Sequence, residues 1–254
     1  MKKIINLIKK HKKKLLLLFA IIVLISIFYY FNPYIQYYFR DIPTTESLDS
    51  LGLENVNNLM IVAHPDDETL WGGNALIEDN YLVVCLTNGN NSTRKNEFFN
   101  VMTKTGDIGI MLSYPDKIHG NRSDWSFCYN DITKDLETII SYKEWDTIVT
   151  HNEQGEYNHE HHIMTHSIVN DICDKLNIAN NQFYFGQYYK KSEIINMAES
   201  DLPHSLSLLQ TEKKLDLVCT YTSQKSTILK LIHMLPFENF ISRESAQHVA
   251  IRLN

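Results

Sequence analysis

From residue 58 onward, short apolar runs alternate with longer amphipathic stretches. Residues 59–63 (LMIVA), 81–87 (YLVVCLT), 146–150 (DTIVT) and 183–185 (FYF) read as buried strands, being short, rich in β-branched or aromatic residues and followed by polar turns. Residues 69–79, 93–105, 132–142 and 163–176 place apolar side chains at helical spacing. This alternation predicts a Rossmann-like α/β three-layer sandwich with a mainly parallel sheet. Ligands of such sheets bind beyond the carboxyl ends of the strands, so chemistry is expected in the turns after 59–63 and 146–150.

The N-terminus has a different pattern. Residues 15–31 (LLLLFAIIVLISIFYYF) are apolar except for Ser26 and the tyrosine hydroxyls. As a helix they would cover roughly 26 Å, close to the ~30 Å of a hydrocarbon core. Residues 1–14 hold seven lysines and no acid, which predicts a signal anchor with its N-terminus cytoplasmic and the rest of the chain outside. A cleaved signal peptide shares this layout, but the apolar stretch is long for one and FNPYIQYYFRDIP lacks a small-x-small cleavage site; a buried core helix is a third reading. The expected organisation is a basic tail (1–14), a transmembrane helix (15–31), a juxtamembrane connector broken by Pro33 and Pro43 (32–57) and a catalytic domain (58–254).

Charge sharpens this division. The net charge of −6 conceals the lysine tail, without which 17 basic residues face 30 acidic ones, a net of −13. So acidic a body lacks the basic surface that nucleic-acid binding requires, and that class is set aside. The four cysteines are 43 to 46 residues apart with no CxxC pair, and Cys85 and Cys219, inside apolar runs, are expected to be buried thiols.

Unusual residues fall where the sheet predicts a site. His64-Pro65-Asp66-Asp67-Glu68-Thr69 follows the first strand, and five of the eleven histidines (His151, His159, His161, His162, His166) follow residues 146–150. A catalytic zinc site needs three such ligands and one open position. Pro65 biases His64 toward an extended backbone, so that His64 and Asp67 can curl around one point with Asp66 beside it as a general base. Taken singly, the acidic run could cap a helix and the histidines could form a solvated loop; together, each at a strand end, they favour a site. Asn88 to Asn90 could line a pocket or simply form a turn. Trp71, Trp125 and Trp145 suit packing better than sugar stacking, and His151 and His166 suit supporting positions better than ligation.

VAHPDDETLWGG (62–73), LTNGNNSTRKNE (86–97), GEYNHEHHIMTH (155–166) and YTSQ (221–224) together resemble the PIG-L / LmbE-like zinc-dependent de-N-acetylases. That family includes deacetylases of N-acetylglucosaminyl-phosphatidylinositol and of mycothiol and bacillithiol synthesis. The resemblance implies that His64, Asp67 and His162 bind zinc, or another divalent metal, and that Asp66 activates the zinc-bound water. It further implies that His159 protonates the leaving amine or stabilises the oxyanion, that Tyr157 polarises the carbonyl and that Arg94 contacts the substrate, with Asn88 a candidate beside it. Many members read HPDH where this chain has His159-Glu160-His161-His162. That change removes an orienting partner of His159 and leaves His161 as a rival ligand, although the HxxH spacing favours His162.

The resulting expectation is a membrane-anchored de-N-acetylase acting on an N-acetylglucosamine-type sugar of a cell-surface glycan or glycolipid. An amidase for a non-sugar N-acyl substrate is the alternative with the same chemistry. A non-catalytic carbohydrate-binding protein is the alternative of another class, and it would have no use for Asp66.

Overall fold

The computed structural model describes residues 2–198 and 205–246, with side chains from residue 11 onward. Residue 1 of the basic tail, residues 199–204 and the last stretch of the expected catalytic domain, 247–254, lie outside the described residues. Helix α1 (Lys2–Tyr38) is followed by the short α2 (Thr45–Asp49), then by β1 (Asn58–Val62), α3 (Asp67–Glu78), β2 (Tyr81–Thr87), α4 (Ser92–Thr105) and β3 (Ile108–Tyr114). A small hairpin of β4 (Lys117–Ile118) and β5 (Asn121–Arg122) precedes α5 (Tyr129–Ile140), β6 (Thr147–Thr150), α6 (Gly155–Asn158) and α7 (Glu160–Leu176). The described chain closes with β7 (Gln182–Phe185), α8 (Lys191–Asn196), α9 (Leu208–Val218), α10 (Lys225–Leu231) and β8 (Phe240–Ser242).

The six-stranded sheet has the order β3-β2-β1-β6-β7-β8, with every pair parallel except β7 and β8. Period-two alternation sends Leu59 and Ile61 of β1 into a core shared with Ile132, Leu136 and Ile139 of α5 and Ile168 and Ile172 of α7. Met60 and Val62 point the other way, into a core with Leu70 and Leu76 of α3, Phe98 of α4 and Val218 of α9. The sheet therefore carries helices on both faces, the expected α/β sandwich. Gly72 lets α3 approach β1 closely: a Cβ there would lie 2.6 Å from the Met60 Cε. From β1 the chain builds β2 and β3 to one side and later β6 and β7 to the other, so the switch point lies between β1 and β6. Both histidine-bearing turns open there.

Three expectations are corrected. The sequence pattern misses β3, a strand at the sheet edge whose residues are mostly half-buried, so that its pattern lacks the continuous apolar run of β2. Cys219 is exposed at the end of α9, on the side away from the apolar stripe of that helix, while Cys85, Cys128 and Cys173 are buried, and all four are free. Pro33 does not end the apolar helix, which runs through it to Tyr38. Proline inside a helix removes one ladder N–H and crowds the carbonyl four residues back, a cost that tertiary contacts can offset. Contacts on both sides of it hold the helix in place: Tyr30 stacks on His119 at 4.6 Å and Tyr34 lies 5.3 Å from Phe127. The segment His11–Tyr38 is long and apolar enough to cross a membrane.

Candidate metal-dependent active site

The turn after β1 is wound tightly. The Asp67 carboxylate accepts the His64 backbone N–H at 2.8 Å, and the Asp67 N–H returns to the His64 carbonyl at 3.2 Å. Between them Asp66 adopts φ = 129°, a region that L-residues rarely visit, so this turn stores backbone strain where the reactive groups lie. Asp66 Oδ1 sits 3.4 Å from Nη2 of Arg94, whose guanidinium also donates to the Pro65 carbonyl.

Following β6, two successive positive-φ residues, Gly155 (58°) and Glu156 (55°), turn the chain so that the Glu156 carboxylate is buried behind the histidines. The Ala63 N–H donates to His151 Nε2 at 3.0 Å, which leaves the His151 proton on Nδ1, donated to Glu156 Oε2 at 2.9 Å. His162 Nδ1 donates to the same oxygen, so its Nε2 carries a lone pair. That lone pair faces Asp67 Oδ2 at 3.2 Å, is buried and has no hydrogen-bond donor among the described residues.

A parallel chain fixes His64. His161 stacks flat on Trp125, with ring centroids 4.1 Å apart, and donates Nε2–H to the Ser123 carbonyl at 2.6 Å. Its Nδ1 must then accept, and it takes His64 Nε2–H at 3.0 Å. His64 Nδ1 is left as a second lone pair, 3.2 Å from Asp67 Oδ2. Hydrogen-bond bookkeeping thus settles each tautomer.

Two imidazole lone pairs and a carboxylate oxygen facing one another repel unless a cation lies between them. The His64, Asp67 and His162 donor atoms lie within 4.8 Å of one another. Edges near 3.2 Å are those of a tetrahedron whose centre is about 2 Å from each vertex, the usual zinc distance to nitrogen and oxygen. These residues fit a metal ion. Two other clusters, His64/His159/His161 and His151/Glu156/His162, are as compact, but in the first His64 and His161 already share a hydrogen bond, and in the second Glu156 accepts from both imidazoles. His161 therefore supports His64 instead of replacing His162.

The surrounding carboxylates favour positive charge at this point. Burial alone would lower the His162 pKa, yet Asp67 and Glu156 push it up to about 10. Burial would likewise raise Asp67, but His162 and His64 hold it well below the usual carboxylate range. Asp66 is raised by burial and by Asp67 against the opposing charge of Arg94. His159, 9% exposed and stacked on His162 at 4.3 Å, is kept neutral by burial and by its cationic neighbours, and its Nδ1 has no partner. The Tyr157 phenol is held protonated, chiefly by burial.

A cleft of about 890 Å³ opens over this cluster, and His64, Asp66, Asp67, Tyr157, His159, Arg94 and Asn88 all line it. His162 lies beneath, fully buried. Arg94 is committed largely to Asp66, Glu97 and Pro65, which makes it an orienting group for Asp66 as much as a substrate contact. Asn88, at φ = 67°, bonds Thr87 Oγ1. Sequence reasoning missed Glu156, Ser123 and the docking of residues 221–224: Tyr221 bonds Glu68, and Ser223 bonds Glu97 through both its N–H and its hydroxyl. An acid three residues before the HxxH was visible, but nothing local marked it as facing two imidazoles.

Residues 59–173 match the family model described as PIG-L, GlcNAc-PI de-N-acetylase. An uncharacterized protein, L374 of Acanthamoeba polyphaga mimivirus, is 30% identical over 133 residues, 46% of this chain and 57% of that protein; the chain thus spans little more than half the length of that relative. A similar solved structure is that of GalB, the 4-carboxy-2-hydroxymuconate hydratase from Pseudomonas putida KT2440, with TM-score 0.46 and 13% identity over 70% of this chain and 84% of that one. The stretch matched by the PIG-L model, residues 59–173, carries both histidine-bearing turns and the convergent lone pairs.

Proposed function

We propose that this protein is a membrane-anchored, metal-dependent de-N-acetylase that removes the acetyl group from an N-acetylglucosamine-type sugar at the cell surface. The observation that carries the reading is the convergence of His64 Nδ1, Asp67 Oδ2 and His162 Nε2, the two imidazoles being oriented by His161 and Glu156, beside an acid that is not part of the set. Bound there, zinc would supply a Lewis acid for the amide carbonyl and acidify water. Asp66, its basicity raised by burial and by Asp67, accepts the proton of the attacking water and returns it to the amine as the C–N bond breaks. Neutral His159 donates a hydrogen bond to the developing oxyanion, and the protonated Tyr157 hydroxyl does the same from beside it. Arg94 holds the Asp66 carboxylate in place.

The proposed organisation is a cytoplasmic tail (1–14), an anchor whose apolar part is residues 15–31, a connecting segment to residue 57 and an extracytoplasmic catalytic domain from residue 58. Lysines on the N-terminal side of the anchor support that orientation.

Acetate release is the test. Full-length protein, stripped by chelation and reloaded with zinc, is assayed on N-acetylglucosamine glycosides and on N-acyl amino compounds. Zinc-dependent acetate release from the sugars is expected. Cleavage of only the non-sugar amides overturns the sugar assignment, and the absence of any hydrolysis overturns the enzymatic one.

A further inference from the structure

Helix α1 extends well beyond what a bilayer requires. Its 37 residues rise roughly 55 Å, against the ~30 Å of a hydrocarbon core. The last three turns carry two distinct stripes. Tyr30, Tyr34 and Tyr37, spaced i, i+4 and i+7, face the catalytic domain: Tyr30 stacks on His119 and its carbonyl lies 2.9 Å from His119 Nε2, Tyr34 meets Phe127, and the Tyr37 hydroxyl bonds Asp131. Just past the helix, Arg40 pairs with Asp131 and Asp135. The hairpin tip that meets α1 has two consecutive positive-φ residues, His119 (51°) and Gly120 (82°), the backbone of a tight two-residue turn.

Tyr29, Asn32, Pro33 and Gln36, spaced i, i+3, i+4 and i+7, form the second stripe, and all four line the same cleft as Asp66 and His159. Gln36 Oε1 accepts Asn90 Nδ2 at 2.7 Å, which ties this stripe to the loop that bears Asn88 and leaves the Gln36 Nε2–H groups to donate. A bare anchor would have no reason to bring amide side chains to a catalytic cleft.

We propose that the exit turns of α1 are a substrate-binding wall, in which Asn32 and Gln36, with the Tyr29 phenol, contact the portion of the substrate beyond the acetamido sugar. The wall presents two neutral amides and a phenol, which match the hydroxyls of a second sugar or polyol and offer nothing to an acyl chain. This inference rests on the de-N-acetylase reading. The anchor helix then acts as a specificity element, and substrate length is read by the same helix that holds the enzyme at the membrane.

The test uses full-length zinc-loaded protein in lipid nanodiscs, with N-acetylglucosamine and N,N′-diacetylchitobiose as probes. Asn32→Ala and Gln36→Ala are each expected to raise KM for the disaccharide at least threefold relative to KM for the monosaccharide, with kcat for the disaccharide within twofold of wild type. An equal rise for both sugars, or no rise for either, overturns the wall while leaving the de-N-acetylase reading intact. Failure of the wild-type protein to release acetate from either sugar overturns that reading first, and the wall with it.

Discussion

Nδ1 of His161 lies 3.0 Å from Nε2 of His64 and accepts its proton, because the opposite nitrogen of His161 is committed to the Ser123 carbonyl. This contact directs the lone pair of His64 toward Asp67. An imidazole from the second turn thus orients a candidate ligand in the first. His161→Phe keeps a ring against Trp125 but removes the acceptor, whereas His161→Asn loses the stack and keeps an acceptor near the Nδ1 position. Zinc affinity, measured by chelator competition, is expected to fall about 10- to 100-fold in the phenylalanine variant and far less in the asparagine variant. The reverse order would show that stacking, and not the hydrogen bond, is what matters.

Glu156 holds two imidazoles with one carboxylate oxygen, a fully buried arrangement in which the pKa falls to about 2 as His151 and His162 outweigh burial. In Glu156→Gln the weaker amide oxygen can serve only one ring well, and the amide N–H groups face donors. Zinc binding should weaken about 10- to 100-fold, and the metal-free protein should lose roughly 2–4 kcal/mol of stability. Chelator competition and denaturant unfolding of the stripped protein measure the two effects. Unchanged values in both would remove Glu156 from the site.

Asp66→Asn is a nearly isosteric change, and asparagine tolerates positive φ about as well as aspartate. The turn should therefore survive, with zinc affinity within about threefold of wild type. Loss of the proton acceptor should lower kcat by about 10² to 10⁴. A variant that binds zinc normally and turns over at the wild-type rate would assign the base to another residue.

Away from the cleft, Asp107 accepts the Tyr81 N–H through Oδ1, while its buried Oδ2 has no partner among the described residues. Burial raises its pKa to about 6, opposed by the Thr105 hydroxyl and the Tyr81 amide. A carboxyl raised on folding favours the native state when protonated. Its contribution is complete below about pH 4, declines as the pH climbs through about 6 and stays lost above that. Asp107→Asn should therefore stabilise the protein at pH 8 by about 1–2 kcal/mol after allowance for solvent screening, and do little at pH 4. Thermal unfolding at the two pH values shows whether the gain has that pH dependence.

Legibility in the sequence followed the range of the interactions. Residues 59–63 and 81–87 read as strands and 69–79 and 163–176 as helices because alternation and helical spacing are properties of near neighbours, and the observed elements Asn58–Val62, Tyr81–Thr87, Asp67–Glu78 and Glu160–Leu176 lie over them. The His64 to Asp67 turn was equally local: a proline, a cap and a strand end, which the switch point of the sheet then placed. Edge strand β3 escaped, since Gly109 cuts its apolar run to Ile110–Leu112 and its mostly half-buried residues show no clean alternation.

By itself, then, the sequence determined the order of strands and helices, the apolar N-terminal helix and the two turns that carry the histidines, each set by side chains a few positions apart. Only the tertiary structure decided which nitrogen of each imidazole is turned toward Asp67, that Glu156 and His161 are the groups responsible, and that the N-terminal helix lines the cleft. Those outcomes depend on contacts such as His64 with His161 and Tyr30 with His119, 97 and 89 residues apart. No local pattern encodes such a pair, because it forms only when the sheet brings distant loops to one edge.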